Sequence, residues 1–160
     1  MILAILGILA ILGFVLYSVK HYARIKIPKL NYKPVEKKNL TNFERELSRL
    51  FNVHRKSLGL GEVTVEVLAS EICKEIILYN IENNLSPHHV GWEERVEKCK
   101  AVSGGEICGH NINTPYGYFM EYLKSENHRE CIENPIYTHV GICEFEKRNY
   151  CIFTKYEGIE

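Results

Sequence analysis

The chain has 160 residues, with 20 Lys+Arg balanced against 20 Asp+Glu. That length suffices for one domain of ordinary size with its own core. The zero formal charge argues against nucleic acid as a partner, because phosphate binding depends on an excess of Lys and Arg on one face.

Residues 1–19 form an uncharged apolar run dominated by Ile, Leu, Gly and Ala. Such a run is long enough to cross a hydrocarbon core as a helix. A signal peptide would carry a basic n-region and a small-x-small cleavage site, and neither is present. A buried core helix would show a polar face. The expectation is therefore a single transmembrane anchor. Residues 20–38 follow as a basic juxtamembrane stalk, with Lys20, Arg24, Lys26, Lys29, Lys33, Lys37 and Lys38 around Pro28 and Pro34, suited to anionic head groups. Positive charge on that side of the anchor would leave the main domain in the cytoplasm. The six cysteines pull towards an oxidising compartment. An extracytoplasmic main domain is the expectation, against the charge bias.

The globular part begins near Leu40. Thr41-Asn42-Phe43-Glu44 has the capping-box pattern, and Phe43, Leu47, Leu50, Phe51 and Leu58 recur at helical spacing. A helix to about Ser57 follows, ended by Gly59 and Gly61. A second helix is predicted over residues 65–83, broken by Ser86-Pro87, and a shorter one over 91–100. Ser103-Gly104-Gly105 reads as a flexible turn. Thr114-Pro115 supplies an N-cap and a first-position proline for a helix running through about His128. Residues 136–145 and 149–156 are rich in β-branched and aromatic residues and read as a hairpin. A loop at 146–148 would set Cys143 opposite Cys151, giving a cross-strand disulfide or two packed thiols. Cys99 and Cys108 flank the 103–106 turn, where a second disulfide would brace it; Cys131 pairs with a hairpin cysteine or with none. Helices first and a closing hairpin give an α+β fold, helices layered over an antiparallel sheet.

One set of polar residues exceeds what core packing requires. Asn52-x-x-Arg55 is followed by Gly59-Leu60. Then come Ser86-x-x-His89-x-x-Trp92-x-x-Arg95, Gly105-Glu106, Ser125-x-x-His128 and Tyr137-Thr138-His139-Val140-Gly141. In this order the pieces resemble the signature of the CAP superfamily, the cysteine-rich secretory, antigen 5 and pathogenesis-related proteins. Their shared unit is the SCP domain, and the likeness is closest to its short microbial members. The resemblance covers residues 40–156 and marks residues 39–160 as a CAP-like domain. It implies an α-β-α sandwich with a cleft lined by two histidines and acidic residues, here His89, Glu106, Glu121 and His128. It also implies that His89 and His128 bind a divalent cation such as zinc. Ile107 stands where the family usually has Asn after Gly-Glu, and Tyr122 where microbial members carry tryptophan.

Residue chemistry adds its own support and its own plainer readings. Glu121 and His128 lie seven apart, which one continuous helix would place on one face. Two imidazoles and a carboxylate are sound zinc ligands, although no H-E-x-x-H spacing occurs. His88, His110 and His21 read as surface groups, His54 as structural and His139 as exposed. Arg95 reads as pairing with Glu106 or Glu121 to pin helices. Ser125 reads as a cap, Cys73 as a buried thiol.

Three functions compete. The first is a membrane-anchored CAP-like domain binding a lipid, peptide or protein ligand, or a cation, at the cell surface. The second is a metal-dependent peptidase or esterase with Glu106 as general base. The third is a structural module with a vestigial cleft.

Overall fold

The computed structural model describes residues 32–159. The expected anchor at 1–19, most of the basic stalk and His21 lie outside the described residues. Among the described residues no helix is long and apolar enough to cross a membrane.

The first helix, α1 (Asn42–Ser57), starts where the capping box predicts. The Glu44 backbone N–H donates to Thr41 Oγ1 at 3.2 Å, and the Thr41 N–H donates back to Glu44 Oε2 at 2.9 Å. A two-residue strand β1 (Thr64–Val65) leads into α2 (Val67–Glu82). Glu66 caps α2 from a fully buried position: its carboxylate accepts from the Ala69 N–H at 2.6 Å and from the Tyr32 hydroxyl at 2.7 Å. Helix α3 (Trp92–Lys98), strand β2 (Ser103–His110), helices α4 (Pro115–Lys124) and α5 (Glu126–Glu133), and strands β3 (His139–Phe145) and β4 (Arg148–Lys155) complete the order.

The four strands form one sheet in the order β1-β3-β4-β2. It is mixed rather than antiparallel, since β1 runs parallel to β3. Side chains alternate across the sheet, and two cores result. Ile107, Val140, Ile142, Cys151 and Phe153 pack with Leu47 and Phe51 of α1, Tyr118, Phe119 and Tyr122 of α4 and Ile132 of α5. Tyr150 and Ile152 face the other way, towards Ala69, Ile72, Cys73 and Ile77 of α2 and Val96 of α3. The domain is thus a three-layer α-β-α sandwich.

Three expectations about local structure change. The Ser103–Gly105 segment is the start of an eight-residue strand, not a flexible turn. Its glycines serve close packing, since a Cβ on Gly105 would stand 2.7 Å from Cys131 Sγ. The hairpin closes through two residues, Glu146 and Lys147, both at positive φ (49° and 57°). Two left-handed residues in succession make the tight turn that matches strand twist, but Glu-Lys lacks the usual Asn-Gly signature. Cys143 therefore faces Tyr150, and Cys151 faces Ile142. A one-residue slip reverses every side chain, so Cys143 and Cys151 lie on opposite faces of the sheet and cannot be joined. Cys99 and Cys108 are not joined either: Cys99 is buried beneath α2 and α3, while Cys108 looks towards His89. All six cysteines are free.

The third change concerns the helix expected to run through His128. It stops at Lys124, because Ser125 is extended (φ −84°, ψ 120°), and a new helix begins at Glu126. Gly141, the last member of the polar constellation, serves packing: a Cβ there would fall 2.3 Å from the Ala69 carbonyl carbon. Its absence lets α2 lie directly on β3, where Ser70 Oγ accepts from the Ile142 N–H at 3.2 Å.

Candidate functional site

Strand β2 is at the edge of the sheet, with β4 as its only strand neighbour among the described residues. At that edge the two helical layers approach each other. Gly104, Gly105 and Glu106 line one side of a cleft of about 570 Å³, with His89 and Trp92 over one layer and Ser125 and His128 over the other.

Glu106 is the anchor of the site. Its carboxylate is nearly sealed from solvent, with 1 % of the side chain exposed. Arg95 of α3 grips it from both sides, Nε donating to Oε2 at 2.6 Å and Nη2 to Oε1 at 2.7 Å. The fork of a guanidinium matches a carboxylate in this way. The remaining Arg95 nitrogen, Nη1, donates to the Val90 carbonyl at 2.8 Å, tying α3 to the loop that carries His89. His89 Nδ1 meets Glu106 Oε1 at 3.1 Å. Burial alone would raise the Glu106 pKa, but the hydrogen bonds from Arg95 and His89 outweigh it and hold the carboxyl below its ordinary range.

His89 is the most altered titratable group in the cleft. Its hydrogen bonds to Cys108 and then to Glu106 raise its pKa to about 10, so at neutral pH it is an imidazolium. His128 arrives from α5, with Nε2 3.3 Å from His89 Nε2 and its ring edge-on to Tyr122. Burial first, and the His89 charge second, lower the His128 pKa. One histidine is thus charged and its neighbour neutral, the arrangement in which His89 donates and His128 accepts.

The expected residues separate into two groups. His89, Glu106 and His128 come together. Glu121 does not: it sits on the outer surface of α4, paired with Lys124 at 2.6 Å and half exposed. The helix break at Ser125 removes the common face that a seven-residue spacing implied. His54 is structural, bonding Glu133 of α5 at 2.8 Å. His139 is half-buried rather than exposed, its ring edge-on to Tyr156, and burial lowers its pKa. His88 is no free surface group either, since its Nδ1 is buried without a hydrogen bond.

The residues present fit a tightly held divalent cation poorly. Among the described residues no three His, Cys, Asp or Glu side chains form a group able to hold one. Glu106 is already committed to Arg95 and His89, which also removes it as a free general base. His89 holds its protons strongly, and a cation would have to displace one of them.

Two further residues position the site: Tyr150, which has no signal in the sequence, and Arg55, which belongs to the Asn52-x-x-Arg55 piece of the signature but whose partners the sequence does not announce. The Tyr150 hydroxyl donates to the His88 carbonyl at 3.0 Å and accepts from the His88 N–H at 2.8 Å and from Asn80 Nδ2 at 2.9 Å. It fixes the backbone next to His89. Arg55 is fully buried, and among the described residues no carboxylate pairs with it. It donates to the carbonyls of Gly61, Ile132, Asn134 and Tyr137 at 2.7–3.0 Å, and so fastens the exit of α5, the helix that carries His128. Desolvation lowers its pKa.

A second hollow of about 770 Å³ lies between α2 and α3, with Ile72, Ile76, Tyr79, Leu85 and Val90 on its walls. Arg95 lines it, while neither of the paired histidines does.

No protein-family model matches the sequence, and no curated protein does. Solved structures do resemble the fold. An outer surface protein from Borrelia burgdorferi superposes with a TM-score of 0.67 at 17% identity, over 78% of this chain and 100% of that one. An extracellular protein containing an SCP domain from Bacillus anthracis gives 0.64 at 17% identity, over 74% of this chain and 45% of that one. A cysteine-rich secretory protein from Staphylococcus aureus gives 0.62 at 19% identity, over 78% and 42%. The chain thus spans less than half the length of the last two.

Proposed function

The domain has the CAP-superfamily, or SCP, fold, and on that premise we propose that it is a ligand-binding module carried on a membrane anchor and facing the extracytoplasmic side. The observation that carries this reading is the His89–Glu106–Arg95–His128 cluster at the mouth of a cleft formed along an edge strand. Glu106 and Arg95 are largely sealed from solvent and neutralise each other. What the cleft offers a ligand is the cationic face of His89, 43 % exposed, and the backbone edge of β2 at Gly104-Gly105. A short peptide in extended form suits both, since main-chain groups can add to a sheet edge while a carboxylate or carbonyl meets His89. The anchor reading rests on the apolar run at 1–19 and the extracytoplasmic side on the SCP-domain likeness.

The test is binding of pooled random hexapeptides, followed by backbone NMR shifts. Peptide-induced shifts at residues 103–106 and 128 that disappear in the His89→Ala/His128→Ala double variant support the reading. Pools that bind nowhere, or that bind the folded double variant equally well, contradict it. Phosphatidylcholine vesicles serve as the lipid comparison.

A further inference from the structure

The hollow between α2 and α3 takes no part in the reading above, and its walls differ in chemistry. Ile72, Glu75, Ile76 and Tyr79 line it from α2, at the spacing that puts residues on one helical face. Glu94, Arg95 and Lys98 repeat that spacing on α3. Leu85 and Val90, on the loop between the helices, complete it.

The loop wall is held in place by bonds on three sides. Tyr150 Oη bonds both the N–H and the carbonyl of His88, at 2.8 and 3.0 Å. Arg95 Nη1 donates to the Val90 carbonyl at 2.8 Å, and the Leu85 N–H donates to the Asn80 carbonyl at 2.8 Å. Yet the side chains carried on this fixed frame are apolar and uncovered: Val90 is 78 % exposed, Tyr79 52 % and Leu85 37 %. Single exposed apolar side chains are ordinary. Three of them around a hollow of about 770 Å³ have the size and character of a preformed small-molecule site.

Charge narrows the ligand. Arg95 is spent on Glu106 and on the Val90 carbonyl, so it brings no net charge. Lys98 follows Glu94 by four residues on α3, where opposite charges offset each other along a helix. Glu75, on the α2 wall, is exposed and has no ion pair among the described residues. One carboxylate is therefore left over at the rim of an apolar hollow. His88, also on the wall, adds a buried polar atom: its Nδ1 makes no hydrogen bond, whereas buried polar atoms nearly always do.

We propose that this hollow binds a small arylalkylamine, an apolar ring carrying one ammonium group, with the ring against Ile76, Tyr79 and Val90 and the ammonium at Glu75. The Tyr79 ring suits both parts of such a ligand, since it can pack against an aromatic body or face a cation. An anion on the same body would meet Glu75 and find Arg95 already bonded. Neither histidine of the cleft is involved, so this site and the peptide reading can each fail alone.

The experiment uses the full-length chain in phosphatidylcholine nanodiscs, which keep detergent out of the hollow, with methyl-labelled Ile, Leu and Val. Tryptamine and indole-3-propionate are the probes: one ring, opposite charges at neutral pH. Empty nanodiscs correct for partition into lipid. Tryptamine is expected to shift the Ile76, Leu85 and Val90 methyl resonances saturably while those of Val140 and Ile142 stay in place. Indole-3-propionate should bind at least about threefold more weakly. Glu75→Gln, a change at an exposed position, should weaken tryptamine by about threefold at low salt and by less at high salt, leaving indole-3-propionate no weaker. Tryptamine that causes no saturable shift at these methyls, or shifts only the cleft, overturns the proposal. So does indole-3-propionate binding as tightly as tryptamine, or tryptamine binding that is indifferent to Glu75→Gln.

Discussion

Two buried arginines, Arg55 and Arg95, do different work with the same side chain. Among the described residues Arg55 donates only to backbone carbonyls, four of them, at Gly61 and at the end of α5 and just beyond it. Arg95 spends two of its nitrogens on one carboxylate and the third on the loop beside His89. The first arrangement fixes where the chain goes. The second fixes the charge state of a neighbour, because a carboxylate gripped by a guanidinium stays ionised and can hold His89 as a cation. One arginine is a scaffold and the other prepares chemistry.

The largest expected effect breaks the scaffold. Arg55→Met leaves four carbonyls short of their donor, those of Ile132 and Tyr137 in the buried interior. A loss of roughly 4–5 kcal/mol is expected, measured by urea unfolding. Arg95→Met should cost roughly 3–4 kcal/mol by stranding the Glu106 carboxylate. Here the contrast sharpens: adding Glu106→Gln to Arg95→Met should restore much of that loss, since removing both charges of a buried pair is far cheaper than removing one. No single second substitution can do the same for Arg55. If the Arg95→Met/Glu106→Gln chain is less stable than Arg95→Met alone, the ion-pair account of Arg95 is wrong.

Smaller effects follow. Tyr150→Phe removes the hydroxyl that joins Asn80 to the His88 backbone and should cost roughly 1–2 kcal/mol. It should also broaden the His89 NMR resonances as its loop loosens. The pH dependence of stability comes next. His89 is raised in the folded chain from 6.5 to about 10, so its contribution is complete below about pH 6.5 and is lost as pH climbs through 10. Melting temperatures of the unaltered chain and His89→Asn should therefore differ most in mild acid and converge as the pH approaches 10. A difference that grows with pH would reverse the assignment. Zinc should have the least effect, with calorimetry showing no tight binding; a submicromolar site lost in His128→Ala would return the cleft to metal chemistry.

The contrast between the arginines also marks what the sequence made legible. Elements with local signals were readable: the Thr41–Glu44 capping box and the apolar spacing of α1, the extent of α2, and the Thr114-Pro115 start of α4. Elements that depend on distant partners were not. Strand β2 contains three glycines and reads as a loop, yet it is held along its whole length by β4. The hairpin register turned on two positive-φ residues with no glycine between them, and with it went the proposed Cys143–Cys151 bond. Within the cleft, His89, Glu106 and His128 were recoverable from the resemblance. Glu121 was misplaced because the helix was expected to continue through Ser125, which instead stands extended between two helices. Arg55 was marked by the resemblance, but its partners were not: it and Tyr150 act on backbone atoms far away in the chain, and no spacing rule reports such contacts.

The account's central claim is that Cys108 and the Glu106 carboxylate gripped by Arg95 hold His89 as a cation beside a neutral His128. NMR titration of the two imidazole rings tests it most directly. The expected result is a His89 ring protonated on both nitrogens throughout the neutral range, losing its proton only near pH 10, with His128 titrating below 6.5. A His89 that titrates with an ordinary histidine midpoint, or a His128 that carries the charge instead, would contradict it.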